Sequence, residues 1–148
     1  MVTTKSKKKA WFKASGPILI VDDDSDDANL TKRTIDLLRP DVPVQIIGSG
    51  KSLVAFLEGE SAYSDPITHP LPSVILLDLI MPEMDGFAVL EWIGRQPKFA
   101  TIPVIVLTAY PDLPHLNRAY ALSARAFLVK PINLPSFRDT LASLNLTV

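Results

Sequence analysis

The chain contains no cysteine, which excludes disulfide frameworks and thiolate-metal sites. It has two histidines, His69 and His115. Neither stands at the end of an apolar run, so both are expected on loops or the surface rather than at a phosphotransfer site. No stretch approaches the roughly 20 apolar residues of a membrane-spanning helix, and Lys13 and Asp22 interrupt the apolar residues near the start before a signal-peptide core can form. A cytoplasmic protein is expected. Only six glycines occur, and their one dense stretch is Gly48-Ser49-Gly50-Lys51-Ser52. A phosphate-binding P-loop needs another glycine where Gln45 stands, so that cradle of amides is incomplete. Asp22, Asp24 and Asp26 begin like a calcium loop, but Asp27 and Arg33 occupy the positions that require glycine and glutamate.

What is present fits one domain: 148 residues, 47% hydrophobic and 21% charged, enough to bury a real core. The net charge of −1 hides an asymmetry. Five lysines (Lys5, Lys7, Lys8, Lys9 and Lys13) and no acid fall in residues 1–13, leaving 10 basic against 16 acidic residues, a net of −6, in the remainder. Residues 1–16 are therefore expected to form a flexible basic arm, with Trp11 and Phe12 able to dock on the domain at 17–148.

Five short apolar runs, 18–21, 44–47, 74–77, 104–107 and 126–129, have the length and β-branched content of buried strands. Helical patterns alternate with them. Ala28, Thr31, Ile35 and Leu38 share a face, with Ser25 as the expected N-cap and Asp26 and Asp27 suited to the positive end of the helix dipole. Further helices are expected at 51–57, around Phe87, Leu90 and Ile93, at 113–123, and through Leu134, Phe137, Leu141 and Leu144. Gly59, Pro66, Pro70 and Pro72 mark residues 58–73 as an inserted loop. Strand–helix alternation of this kind predicts an α/β fold with a doubly wound, five-stranded parallel sheet and helices on both faces.

In such sheets ligands collect beyond the carboxyl ends of the strands. Asp22 and Asp23 follow the first strand, Asp78 the third, Thr108 the fourth and Lys130 the fifth. Three converging carboxylates repel unless a hard cation joins them, and an all-oxygen set favours Mg²⁺. Magnesium typically leaves a position for a phosphate, whose other oxygens suit Thr108 and Lys130. Asp78, alone on the central strand, is the best-placed nucleophile for an aspartyl phosphate.

The motifs Ile18-Leu19-Ile20-Val21-Asp22-Asp23, Leu77-Asp78 through Asp85-Gly86, Val106-Leu107-Thr108-Ala109 and Phe127-Leu128-Val129-Lys130-Pro131 resemble the receiver domain of two-component response regulators. The resemblance covers about residues 17–146. It implies the flavodoxin-like strand order 2-1-3-4-5. Asp78 would be the phosphoacceptor; Asp22, Asp23, Asp78 and the Ile80 backbone carbonyl would hold Mg²⁺. Thr108 and Phe127 would form the switch, Lys130 would pair with the phosphate, and the Lys130–Pro131 bond would be cis. It further implies a signalling protein that catalyses only its own phosphorylation and dephosphorylation, and whose partner is a sensor histidine kinase or a histidine phosphotransfer protein.

Several features depart from the family pattern. Ser123-Ala124 replaces the usual Gly-Ala before the fifth strand, leaving no glycine for a left-handed cap. Pro111 and Pro114 bracket the loop after Thr108. Ile80 and Tyr110 occupy the variable positions flanking the phosphoryl group, and their bulk implies restricted water access and slow autodephosphorylation. A haloacid-dehalogenase-like phosphohydrolase is the rival reading, with Asp22 as nucleophile and Asp24 as acid, but it leaves Asp78 unexplained and finds Asp26 where threonine is expected.

The chain ends soon after the last helix, so no DNA-binding effector is expected. Output would pass through a surface of the fourth helix, fifth strand and fifth helix, with Arg118, Tyr120 and Phe137 as candidates for partner binding or homodimerisation, or else onward to a histidine phosphotransfer protein. The 58–73 insertion, with His69-Pro70-Leu71-Pro72, looks like that of stand-alone receivers that partner phytochrome-type kinases.

Overall fold

Two-residue alternation along the strands divides the core into two layers. In the computed structural model, which describes residues 16–146, five parallel strands lie in the order β2-β1-β3-β4-β5. They are β1 (Ile18–Val21), β2 (Val44–Ile47), β3 (Val74–Asp78), β4 (Val104–Thr108) and β5 (Ala126–Val129). Five helices follow them among the described residues: α1 (Ser25–Leu38), α2 (Gly50–Glu58), α3 (Gly86–Gly94), α4 (Leu113–Ala121) and α5 (Leu134–Ser143). Ile18, Ile20, Val74, Leu76, Ile105 and Leu107 pack with Ala28 and Ile35 of α1 and Phe137 and Leu141 of α5. Leu19, Val21, Ile75, Leu77, Val104 and Val106 face the opposite way, onto Leu53 and Phe56 of α2, Leu90 and Ile93 of α3 and Ala119 of α4. The predicted architecture and strand order are those observed. The basic arm expected at 1–16, with Trp11 and Phe12, lies outside the described residues except for Gly16. No helix among the described residues is long and apolar enough to cross a membrane.

Three expectations need correction. Asp24, not Ser25, caps α1: its carboxylate accepts from the amides of Asp26 (3.0 Å) and Asp27 (3.1 Å), and Ser25 is already helical. Phe137, expected on an output surface, is fully buried (0% exposed), because the same apolar spacing that marks α5 as a helix turns it into the core beside Leu141. The fourth helix stops at Ala121, short of 123.

That early stop is a left-handed cap without glycine. Ser123 has φ of 80°, its amide bonds to the Tyr120 carbonyl (2.9 Å), and the Ala124 amide bonds back to Ala119 (3.0 Å), closing a Schellman motif. The hydrogen bonds hold serine in a conformation that costs an L-residue on the order of 1 kcal/mol. The insertion, residues 59–73, is anchored on α2 by aromatic contact. Tyr63 and His69 lie 5.2 and 5.8 Å from the Phe56 ring and 5.3 Å from each other, centroid to centroid. Ser123→Gly is expected to raise unfolding free energy by about 0.5–1 kcal/mol, since relief of the left-handed strain exceeds the added flexibility of the unfolded chain. A urea titration would show it as a higher midpoint with an unchanged slope.

Candidate functional site

The strand register brings the predicted residues to one edge. Val21 pairs with Leu77, Asp78 with Leu107 and Thr108 with Val129, so Asp22 and Lys130 each lie one residue beyond the ladder. Their amides still bond to it, Asp22 to the Ile47 carbonyl (3.0 Å) and Lys130 to that of Thr108 (2.8 Å). Pleat parity then sorts the side chains. Asp22, Asp78 and Lys130 continue the rows that face α1 and α5, whereas Thr108 continues the row that faces α3 and α4.

Carboxylate oxygens of Asp22, Asp23 and Asp78 lie within 4.8 Å of one another. Asp22 is buried (1% exposed) and Asp78 nearly so (8%), while Asp23 is exposed. Asp22 Oδ1 accepts from the Asp24 amide (3.0 Å) and Asp78 Oδ1 from the Ile80 amide (3.3 Å). Lys130 Nζ lies 2.8 Å from Asp22, 3.3 Å from Asp27 and 3.5 Å from Asp78, and the Lys130–Pro131 peptide is cis. Gly86 lets the turn after β3 fold back on the site: a Cβ there would stand 2.6 Å from both the Asp78 carbonyl oxygen and the Leu79 Cα. Asp85 is occupied as the cap of α3, accepting from the Ala88 amide (2.9 Å).

Burial pushes the Asp78 carboxyl up to about 6 from the ordinary 3.8; Lys130 pulls the other way, and the Asp22 charge adds to the rise. Burial also disfavours the Lys130 charge, but the hydrogen bond that its ammonium donates to Asp22, the fields of Asp78 and Asp22 and the Asp27 contact outweigh it and raise its pKa. One ammonium therefore does not satisfy the cluster, and a divalent cation is the group that this all-oxygen donor set fits.

Two parts of the site escaped the sequence reading. Asp27 has a reason to be acidic as a first-turn residue, yet it also reaches Lys130; nothing local in the sequence signals a contact spanning 103 residues. His115 is not remote from a strand end. It lines a cavity of about 280 Å³ with Leu79, Ile80, Thr108, Tyr110 and Asp112. The Asp112-x-x-His115 spacing at a helix start was the available clue. Ile80 and Tyr110 are 64% and 77% exposed and rim this opening. Thr108 Oγ1 accepts from the Tyr110 amide (3.0 Å). Phe127 is half-buried and packs on the core, with the Tyr120 ring edge-on at 6.5 Å.

Residues 18–142 match the sequence model of the response regulator receiver domain. Response regulator Rcp1 of Synechocystis sp. is 33% identical over 117 residues, 79% of this chain and 78% of its own length. Among solved structures, the bacteriophytochrome response regulator AtBRR superposes with a TM-score of 0.79 at 29% identity, over 90% of this chain and 95% of that one. The Mn²⁺-bound form of Rcp1 gives 0.72 at 31% identity, over 88% and 94%.

The raised Asp78 carboxyl has a defined effect on stability. A carboxyl whose folded pKa exceeds its unfolded value makes the folded state bind the extra proton, so stability falls as pH rises from about 4 through about 6 and stays lower above. Without divalent cations, Asp78→Asn is expected to raise unfolding free energy at pH 7.5 by about 1–2 kcal/mol, a figure discounted for partial solvent access. The advantage should shrink toward pH 4. Urea titrations at both pH values, repeated with MgCl₂, would measure it, and Mg²⁺ should narrow the gap at pH 7.5.

Proposed function

Because the chain belongs to the response regulator receiver domain family, its cluster at the sheet edge is a candidate phosphoryl site, and we propose that Asp78 accepts a phosphoryl group from a histidine kinase in two-component signalling. The observation that carries this reading is the convergence of the Asp22, Asp23 and Asp78 carboxylates with Lys130 at the carboxyl ends of neighbouring strands. An Asp78 carboxylate oxygen attacks phosphorus, the phosphorus–nitrogen bond to the kinase histidine breaks, and the nitrogen keeps the electron pair. Asp22, Asp23, Asp78 and the Ile80 carbonyl would hold Mg²⁺, whose charge offsets that of the incoming group. Lys130, already at 3.5 Å from Asp78, pairs with one phosphoryl oxygen. Thr108 donates its hydroxyl to another from the opposite face of the sheet.

Asp24 is engaged as the α1 cap, which argues against its serving as the free acid of a phosphohydrolase. The likeness to a bacteriophytochrome response regulator supports a phytochrome-type kinase as the donor. Thr108 moving toward the phosphoryl group would release space for Phe127 and reset Tyr120 and Val129, which are exposed at the α4–β5 surface. That surface is the proposed output, through a homodimer or another partner; relay to a histidine phosphotransfer protein is the alternative.

With Mg²⁺ and a small acyl phosphate donor, the protein is expected to take up one phosphoryl group per chain as a base-labile acyl phosphate. Asp78→Asn should take up none, and chelation of the metal should abolish uptake. Intact-protein mass spectrometry reads all three, and label persisting on the Asp78→Asn variant would refute the assignment. Size exclusion with beryllofluoride and Mg²⁺ then tests the output, with a shift to dimer mass expected for self-association.

A further inference from the structure

The cavity beside Thr108 contains a built acid–imidazole pair. Asp112 caps α4 through Oδ1, which accepts from the His115 amide (3.0 Å), while Oδ2 of the same carboxylate lies 2.5 Å from His115 Nδ1. The imidazole is also stacked on Phe87, centroids 5.8 Å apart and planes at 28°, and the Arg118 guanidinium covers that phenyl ring at 4.2 Å. The hydrogen bond from the His115 amide, then that from its ring, lowers the Asp112 pKa and keeps it ionised. A carboxylate can only accept, so in the neutral imidazole Nδ1 carries the proton and Nε2 keeps the free electron pair.

Capping alone requires one carboxylate oxygen and an amide, which any residue except proline supplies at position 115. An exposed acid–histidine pair would likewise add little to stability. Neither accounts for an oriented imidazole lining the same opening as Thr108, Ile80 and Tyr110, at the end of the strand next to Asp78. The opening has room for water; the charged groups beside the ring are Asp112 and, beyond Phe87, Arg118, and Tyr110 lines the same opening.

We propose that His115 is the proton acceptor for the water that hydrolyses the acyl phosphate on Asp78. This rests on Asp78 being the phosphoacceptor. The water oxygen bonds to phosphorus, the bond from phosphorus to the Asp78 oxygen breaks, and its electron pair returns to the carboxylate. One water proton passes to His115 Nε2, and the other leaves on the inorganic phosphate. The Asp112 carboxylate stabilises the imidazolium until solvent removes its proton. His115 would thus set the lifetime of the phosphorylated state without taking part in its formation.

The test is loss of label from phosphorylated protein after removal of the donor, in Mg²⁺, for the wild type, His115→Ala, His115→Gln and Asp112→Asn. Both His115 variants should hold the acyl phosphate about tenfold longer or more, with Asp112→Asn intermediate. Added imidazole should accelerate loss from His115→Ala while leaving the wild type unchanged, a response that a purely structural role would not give. His115→Gln retains the amide that Asp112 caps, so its urea midpoint should stay near wild type and separate chemistry from folding. Equal decay in the wild type and both variants would overturn the proposal, as would slowing that imidazole does not relieve. Failure of the wild type to label at all would remove the phosphoacceptor reading itself, which distinguishes the two failures.

Discussion

Lys130 is held among three carboxylates at the end of a hydrophobic sheet, and the arrangement of the site follows from that crowding. Its ammonium bonds Asp22 at 2.8 Å and Asp27 at 3.3 Å, and reaches Asp78 only at 3.5 Å. One positive charge is thus shared unevenly, and the central aspartate receives the smallest part. Desolvating a carboxylate without full compensation raises its free energy, so Asp78 stays responsive to any further cation or electrophile that reaches it.

Holding like charges together requires a scaffold that cannot relax away from them. Parallel pairing with an apolar layer on each side supplies it, since a shift of one residue would move every strand side chain to the wrong layer. The turn after β3 adds a second restraint, because Gly86 presses against the Asp78 and Leu79 backbone at a distance that no Cβ would permit. Caps by Asp24, Ser49, Asp85, Asp112 and Asn133 fix where each helix begins. These fix the loops that surround the strand ends.

Much of this was legible in the sequence because it is local or periodic. Four-residue apolar runs gave the strands, helical spacing gave the helix faces, and an acid or a lysine directly after a run gave the position of Asp22, Asp78 and Lys130 at the edge. What escaped depends on where helices land. Asp27 reaches Lys130 only because α1 packs on the face where Lys130 emerges, and His115 meets the cavity only because α4 packs on the other. The choice of Asp24 over Ser25 as cap is a difference of one residue between two competent side chains. The sequence suits Phe137 to two incompatible tasks, a surface contact and the apolar face of α5, and burial of that face decides between them. Ser123 shows the reverse case, in which hydrogen bonding at the helix end outweighs the residue's own backbone preference.

The pleat places Asp22, Asp78 and Lys130 above one helical layer and Thr108 above the other. A ligand that touches both Lys130 and Thr108 straddles the rim of the sheet like a staple across a spine. Its attachment would tie the pages on either side together, so that tightening at one margin is felt in a layer whose apolar contacts are otherwise its own. Mechanical coupling between the two halves therefore needs no path through the interior; it can run over the edge, through a single hydroxyl.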